Sequence, residues 1–411
     1  MPARATRRTA SAPAGGSAAV VARGAGMKPP KITGIQVDEF SYTLNNMATD
    51  YNGFNLVYEP GGKATASSYA IRITTDAGIT GECIGWGNVE PAPIRMFAHY
   101  LMGKNALERE RIYSDMKRAL RQVARMGLAP VDIALWDIAG KYYNAPLYEL
   151  LGGHKKPLRA YASTYHGDHV KGSGLDTPEG FADFAEECYA LGYRAYKLHL
   201  WGADTPIQQQ AEAVRAAGRR VGGKMTLMVD PACELMTFGD AIQVGWACDE
   251  ARFFWWEDPF RDGGISQFGH RKLRQLVKTP LLQTEHVRSL EPHVDFILAD
   301  ATDFVRGDVY YDGVTGVLKL AHAAEGLGVD IEFHGGGPVV RHMMSAIRNT
   351  NFYELGLVHP KVRGLMPSVY KGGYREDLEA IDKNGCVHVP DGPGLGAEID
   401  WDFVKKHRTG G

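Results

Sequence analysis

Neither sign of charge dominates this sequence: 46 Lys and Arg stand against 48 Asp and Glu, a formal charge of −2 over 411 residues. Without a basic excess there is no general attraction to nucleic acid or to an anionic membrane, and a small molecule is the expected partner. Cysteine is scarce as well. Its five positions, 83, 188, 233, 248 and 386, are odd in number and include no CxxC pair, which argues against a disulfide framework and for reduced thiols in the cytoplasm. No apolar run approaches the ~18 residues a membrane helix needs, so no membrane partner is expected. Neither GxGxxG nor GxxxxGK[ST] follows the first strand of the alternating region, which removes support for nucleotide-binding folds.

The first 26 residues carry four arginines and no acid. Rich in Ala, Ser and Gly, residues 1–27 are expected to form a disordered or non-native tail, with Met27 as the biological beginning. Arg7-Arg8 hints at an export signal, but the apolar stretch from Ala18 to Ala22 is too short for the hydrophobic region of one.

Beyond the tail, β-branched and aromatic runs at Ile32–Tyr42, Ser67–Thr75 and Gly81–Trp86, separated by Asp-Ala-Gly and Gly-Glu turn chemistry, read as an antiparallel meander. The polar, Gly-rich segment Asn45–Ala66, with Tyr51, Phe54 and Tyr58, reads as a long functional loop. Residues 91–145 have apolar positions at helical spacing, such as Val131, Leu135 and Ile138. After Arg159 strands and helices alternate, the mark of parallel βαβ units. RAYAST, RAYKLHL and KMTLMVD lead to helices over 178–190, 206–218 and 239–249; RFFWWEDP, PLLQTEHV, DFILAD, GVDIEFHG and TNFYELG follow. Eight strands fit a closed (β/α)8 barrel, or a close variant, better than an open doubly wound sheet. The C-terminal stretch IDKNGCVHVPDGPGLGAEID returns to short strand and turn signals and is expected to rejoin the N-terminal unit.

In such a barrel the chemistry projects from the C-terminal strand ends. Read in order, these are Lys197 and His199, Asp230, Glu257, Glu285, His334 and Glu354, and almost all are ionisable. Asp230, Glu257 and Glu285 are 27 and 28 residues apart, one βα repeat each. Three converging carboxylates repel unless a cation lies between them, and hard oxygen donors with open positions suit Mg²⁺. The plainer alternative is that each acid caps the following helix or pairs with a local cation. Lys197 and His199, at i and i+2, point to one barrel face. A buried Lys needs an anionic partner, for which a substrate carboxylate is the natural complement; pairing with one of the three acids is the alternative.

IEFHGGGP (331–338) admits two readings: the glycine-amide oxyanion loop of a serine esterase, or a proton-transferring imidazole at a strand mouth. The esterase requires a GxSxG nucleophile elbow, and none is present.

Together these residues resemble the enolase superfamily, and within it the mandelate racemase-like branch. The resemblance runs from about Lys31 to Trp401. It rests on VDIALWDIAGKYYNAPLYELLGG (131–153), the KxH at 197–199, the acids in MVDP, WWEDP and QTEH, DGVTG (312–316), His334, Glu354 and PDGPGLGAEID (390–400). It implies an α+β capping domain over 28–150, a modified (β/α)8 TIM-type barrel over 151–370, and a C-terminal segment, 371–411, returning to the capping domain. It further implies a homo-oligomer, Mg²⁺ held by Asp230, Glu257 and Glu285, and abstraction of a proton α to a substrate carboxylate.

Position by position, the resemblance makes Lys197 the residue that neutralises the carboxylate, and puts His199 where the branch usually has a second lysine as base. His334 falls on the histidine of the seventh strand, and Glu354 on a residue that, if protonated, donates to the enolate oxygen. The partner of His334 should be an aspartate of the sixth strand; its register falls on Gly307, with Asp308 adjacent. Tyr51, Tyr58 and Trp86 lie in specificity-shaping segments, and Arg341 and His342 are expected to reach a polyhydroxy substrate. The leading expectation is a Mg²⁺-dependent lyase that dehydrates a sugar acid to a 2-keto-3-deoxy acid. The runner-up is a racemase, epimerase or cycloisomerase working through the same enediolate; a non-catalytic sugar-binding protein is the rival outside enzymology.

Overall fold

The computed structural model describes residues 28–364, 367 and 369–410; the expected tail lies outside them. Three antiparallel strands open the chain, β1 (Ile32–Thr49), β2 (Leu56–Thr75) and β3 (Thr80–Trp86). Gly78, with φ at +73°, makes the tight turn of the Asp-Ala-Gly sequence between β2 and β3. The segment read as a long loop is instead an extension of the first hairpin. Met47 pairs with Tyr58 and Thr49 with Leu56, and only Asp50–Asn55 are left to turn. Buried Met47, Val57 and Tyr58 hold this extension, and the Asp50 carboxylate organises its tip by accepting from the Phe54 and Asn55 amides.

The helix Leu128–Tyr143 is apolar almost all round and accordingly buried almost all round. It plugs the space between the meander and the second layer. A Cβ at Gly81 would fall 2.0 Å from the Ala134 carbonyl, so β3 can approach the helix only as glycine. Asp132 and Asp137 tie it outward: Asp132 accepts from the Thr315 amide and hydroxyl, Asp137 from the Glu82 and Leu395 amides.

Eight parallel strands follow: β4 (Leu158–Thr164), β5 (Ala195–His199), β6 (Thr226–Asp230), β7 (Trp255–Glu257), β8 (Leu281–Gln283), β9 (Phe304–Gly307), β10 (Asp330–Phe333) and β11 (Tyr353–Val358). They pair in the order β10-β9-β8-β7-β6-β5-β4-β11, a curled parallel sheet that fits an α/β barrel. Helices intervene as expected after the first three, at Pro178–Leu191, Ile207–Val221 and Phe238–Ala251. DFILAD is not a strand. It belongs to the helix Leu290–Leu298, whose inward residues His293 and Phe296 keep helical spacing, and the sixth strand is FVRG. The chain ends with β12 (Cys386–Val387) on β4 and β13 (Arg408–Gly410) on β1, so the C-terminal segment returns to the meander.

No backbone ladder joins β10 to β11 among the described residues. Side chains bridge that seam: the buried Glu332 carboxylate accepts from the Asn351 amide and side chain and from the Phe352 amide. Burial pushes Glu332 up from 4.5 to about 7 despite these donors. The folded state therefore binds this proton more tightly, and its contribution to stability falls as pH rises through that window. Urea denaturation should show the wild type losing about 2–3 kcal/mol relative to Glu332→Gln between pH 5 and pH 8; parallel pH curves for the two proteins would refute the assignment.

Candidate active site

The C-terminal ends of the parallel strands carry a layer of charge above an apolar floor. Tyr161, Met228, Trp255 and Leu282 form a buried cluster on β4, β6, β7 and β8. Two residues beyond Met228 and Trp255, on the same face, come Asp230 and Glu257. Glu285 lies past the end of β8, turned inward by Thr284 at φ +88°, an unusual conformation for a β-branched residue. The Thr284 hydroxyl compensates by bonding both the amide and the carbonyl of Arg306 on β9. Asp230, Glu257 and Glu285 each offer an oxygen, and all three lie within 4.8 Å of one another.

Two buried cations hold this layer together. Lys197 Nζ is 3.3 Å from Asp230, 2.9 Å from Glu257 and 3.0 Å from Glu354. Within the protein its partners are thus carboxylates, two of the triad and Glu354. Arg306, fully buried, places Nε 2.6 Å from Glu257 Oε1 and Nη2 2.8 Å from Glu354 Oε2, and donates to the Phe333 carbonyl. Arg306 carries no signal in the pattern of strand-terminal residues, because it precedes the end of its strand by one position.

Glu354 corrects an expectation. Burial alone would favour its protonation, but Lys197, Arg306 and His334 hold it well below the usual carboxylate range. Its oxygens accept from Ser163 Oγ, Arg306 and the Gly335 amide, so it is an ionised acceptor and not a donor. Four acidic side chains, Asp230, Glu257, Glu285 and Glu354, therefore face two cations, two acids more than the cations can pair one to one. Burial pushes Glu257 well up against the pull of Arg306 and Lys197. Glu257 Oε1, although close to Arg306 Nε, accepts no well-aligned hydrogen bond. An all-oxygen donor set with acids in excess of cations and an open lone pair on Glu257 fits a hard divalent cation.

Histidines flank the triad at both ends. His199 is in register with Asp230, with Nε2 3.1 Å from Asp230 Oδ2 and Nδ1 2.7 Å from the Thr164 carbonyl, which fixes Nδ1 as a donor. His334 follows β10, with Nε2 3.3 Å from Glu285 and Nδ1 2.6 Å from Asp308 Oδ2. Burial opposes its charge, yet Glu285 and Asp308 raise His334 to about 10. Asp308 also caps the helix that begins at Val309, its Oδ1 accepting from the Tyr310 amide. At position 307 a side chain would press on the core, since a Cβ there would lie 2.6 Å from Ile331 Cδ1.

The glycines after His334 do not form an oxyanion hole, since the Gly335 amide donates to Glu354 and the Gly337 amide to the Tyr353 hydroxyl. Arg341 and His342, expected to reach a substrate, are braces instead. Arg341 donates to the His388 and Arg375 carbonyls and pairs with Glu376, while both ring nitrogens of His342 bond backbone groups of Tyr148 and Leu395. From the hairpin extension, the Tyr51 hydroxyl donates to Glu234 and Tyr58 stacks on His359 at 4.5 Å. Trp86 is 42% exposed and packs edge-on against Tyr310. Glu234, His359 and His166, whose ring lies 5.2 Å from that of His199, follow the strand ends in loops and carry no spacing signal.

Removing Arg306 would leave Glu257 and Glu354 buried with one cation between them. Arg306→Met should lower stability by about 3–5 kcal/mol in urea denaturation; an unchanged midpoint would contradict the central role given to this guanidinium.

Comparison with known proteins agrees with this architecture. Residues 180–403 match the enolase C-terminal domain-like family, and residues 58–152 match the mandelate racemase / muconate lactonizing enzyme N-terminal domain. The chain is 26% identical over 380 residues to a D-gluconate dehydratase of Thermoproteus tenax, covering 86% of this chain and 73% of that protein. It is 29% identical over 363 residues to a D-galactarolactone cycloisomerase of Agrobacterium fabrum, covering 82% and 90%. A crystal structure of D-glucarate dehydratase from Agrobacterium tumefaciens, complexed with magnesium, superposes with a TM-score of 0.81 at 29% identity, over 93% of this chain and 100% of that one. With both of its matched regions in hand and the charged layer at the strand ends, the chain is a member of the enolase superfamily, of the mandelate racemase-like kind.

Proposed function

We propose that this enzyme is a Mg²⁺-dependent lyase that removes water from a sugar acid. The observation that carries the reading is the His334–Asp308 pair, with Nδ1 held at 2.6 Å and Nε2 turned to the triad. A histidine held by a carboxylate on one nitrogen, and charged up to about pH 10, is suited to give a proton to a departing hydroxyl.

Asp230, Glu257 and Glu285 would hold the ion, which when bound supplies positive charge to the substrate carboxylate and so eases loss of the α-proton. His199 stands at the other end of the triad as the base. Its Nδ1–H is committed to the Thr164 carbonyl, so proton transfer would use Nε2. Lys197 and Arg306 favour the ionised form of the acids and hold them in place. The reaction breaks the α C–H bond, with the proton going to His199, and the β C–O bond, with the hydroxyl leaving as water on a proton from His334. The enol then tautomerises to a 2-keto-3-deoxy acid. The dehydratase relatives support a sugar-acid substrate, and five free thiols support a cytoplasmic setting. No helix of the described residues is long and apolar enough to cross a membrane.

A second reading keeps the same residues. Two histidines flanking one triad, together with the cycloisomerase relative, favour racemisation, epimerisation or cycloisomerisation as the alternative.

Incubation with Mg²⁺ and a panel of mono- and diacid sugars should release a 2-keto acid from at least one. His334→Asn should lower that rate about 10²–10⁴-fold, and chelation should abolish it until Mg²⁺ is restored. In deuterated water, exchange at Cα with inversion and no 2-keto acid would select the second reading. Asp308→Asn, which retains a helix cap, should cost turnover more than stability; equal loss of both would reduce Asp308 to its cap.

A further inference from the structure

Beside the acid triad lies a second group of donors that the proposed reaction leaves unused. Cys233, Asp258 and His286 each present one ligand atom, and the three atoms lie within 4.8 Å of one another. They come from the same three strand ends: Cys233 is three residues past Asp230, Asp258 follows Glu257, and His286 follows Glu285.

Asp258 is 1% exposed, and neither of its oxygens accepts a well-aligned hydrogen bond from any described residue. Its ion-pair contact is His286, whose Nε2 stands 3.3 Å from Oδ2. Buried carboxylates normally gather several N–H or O–H donors, and one left without them is costly unless a cation compensates. The protein closes tightly around it on another side, where a Cβ at Gly264 would come within 2.9 Å of Oδ1.

We infer that Cys233, Asp258 and His286 form a second metal site, which takes a zinc-type divalent ion. One sulfur, one imidazole nitrogen and one carboxylate oxygen are a borderline-soft set that suits Zn²⁺ or Co²⁺, whereas the three oxygens of the triad suit Mg²⁺. Three protein ligands leave a fourth position open, the pattern of an exchangeable site rather than a closed structural one. The His286 side chain is 39% exposed, which provides an entry path from solvent. On binding, the Cys233 S–H bond breaks and the His286 nitrogen facing the ion gives up the N–H proton it holds toward Asp258; sulfur and nitrogen each donate an electron pair to the ion, both protons leave to water, and nothing is oxidised or reduced.

The two sites share a neighbour. His286 Nε2 is also 3.9 Å from Glu285 Oε1, so an occupied second site draws this imidazole away from the triad and sets positive charge beside it. A zinc-type ion here therefore weakens Mg²⁺ binding next door. The inference concerns metal capture and does not depend on which reaction the enzyme performs.

Cobalt(II) titrated into the whole chain in excess Mg²⁺ provides the test. A saturable thiolate-to-cobalt charge-transfer band at one equivalent is expected, abolished by Cys233→Ser, shifted about tenfold or more in midpoint by His286→Gln, and retained by Asp230→Asn. Zn²⁺ should bleach it by displacement. A wild type without the band would overturn the inference, as would a band that survives Cys233→Ser. Should Cys233→Ser not fold by circular dichroism, the exposed His286→Gln variant carries the test alone, and an unmoved midpoint there overturns it equally.

Discussion

Four carboxylates gathered over two buried cations, Lys197 and Arg306, are the interaction on which the rest of this structure depends. Charges of one sign packed so closely repel strongly in a medium of low polarisability, and taking any of them out of water is costly in itself. The arrangement is sustained because Asp230, Glu257 and Glu354 meet Lys197 or Arg306 within 3.3 Å while Glu285 leans on His334 at 3.3 Å, and because a parallel sheet delivers the groups to one end from separate strands. An apolar layer of Tyr161, Met228, Trp255 and Leu282 closes the space beneath. Water is thereby kept from one side of the cluster, which strengthens each pair.

Several residues meet a structural and a chemical demand with the same atoms. Asp308 accepts from the Tyr310 amide with Oδ1 and orients His334 with Oδ2, so the imidazole is placed by a helix start rather than by a dedicated support. Thr284 accepts a left-handed backbone that points Glu285 inward, and its hydroxyl replaces the ladder bonds lost at that turn. The glycine run after His334 lets the chain bend while its amides hold Glu354 and Tyr353. A substitution at any of these positions would disturb local folding and the site together.

The meander reaches the strand ends through side chains. Tyr51 on Glu234 and Tyr58 on His359 join the first hairpin to the charged layer, and the helix Leu128–Tyr143 bonds both layers through Asp132 and Asp137. The hairpin contacts are few and partly exposed, while the helix contacts are buried. The mouth of the site is therefore held less firmly than its base.

Much of this was legible in the residue order. Strand and helix alternation, a charged residue at nearly every strand end, and acids 27 and 28 residues apart are properties of sequence, because a βα repeat has a nearly constant length and strand ends of a parallel sheet converge. Arg306 was not legible: it lies one residue before a strand end, and its three acidic partners come from three other strands. Nor was the state of Glu354, since burial and neighbouring cations act in opposite directions and only distances tell which prevails. Polar composition concealed the hairpin at 45–66, where cross-strand register and a few buried side chains outweigh glycine content. The sequence by itself determined which groups could take part, through type and periodicity. Tertiary structure alone decided which charges pair, which histidine gains a carboxylate, and which polar side chains, such as Arg341 and His342, are spent on bracing, because those outcomes depend on contacts between residues far apart in the chain.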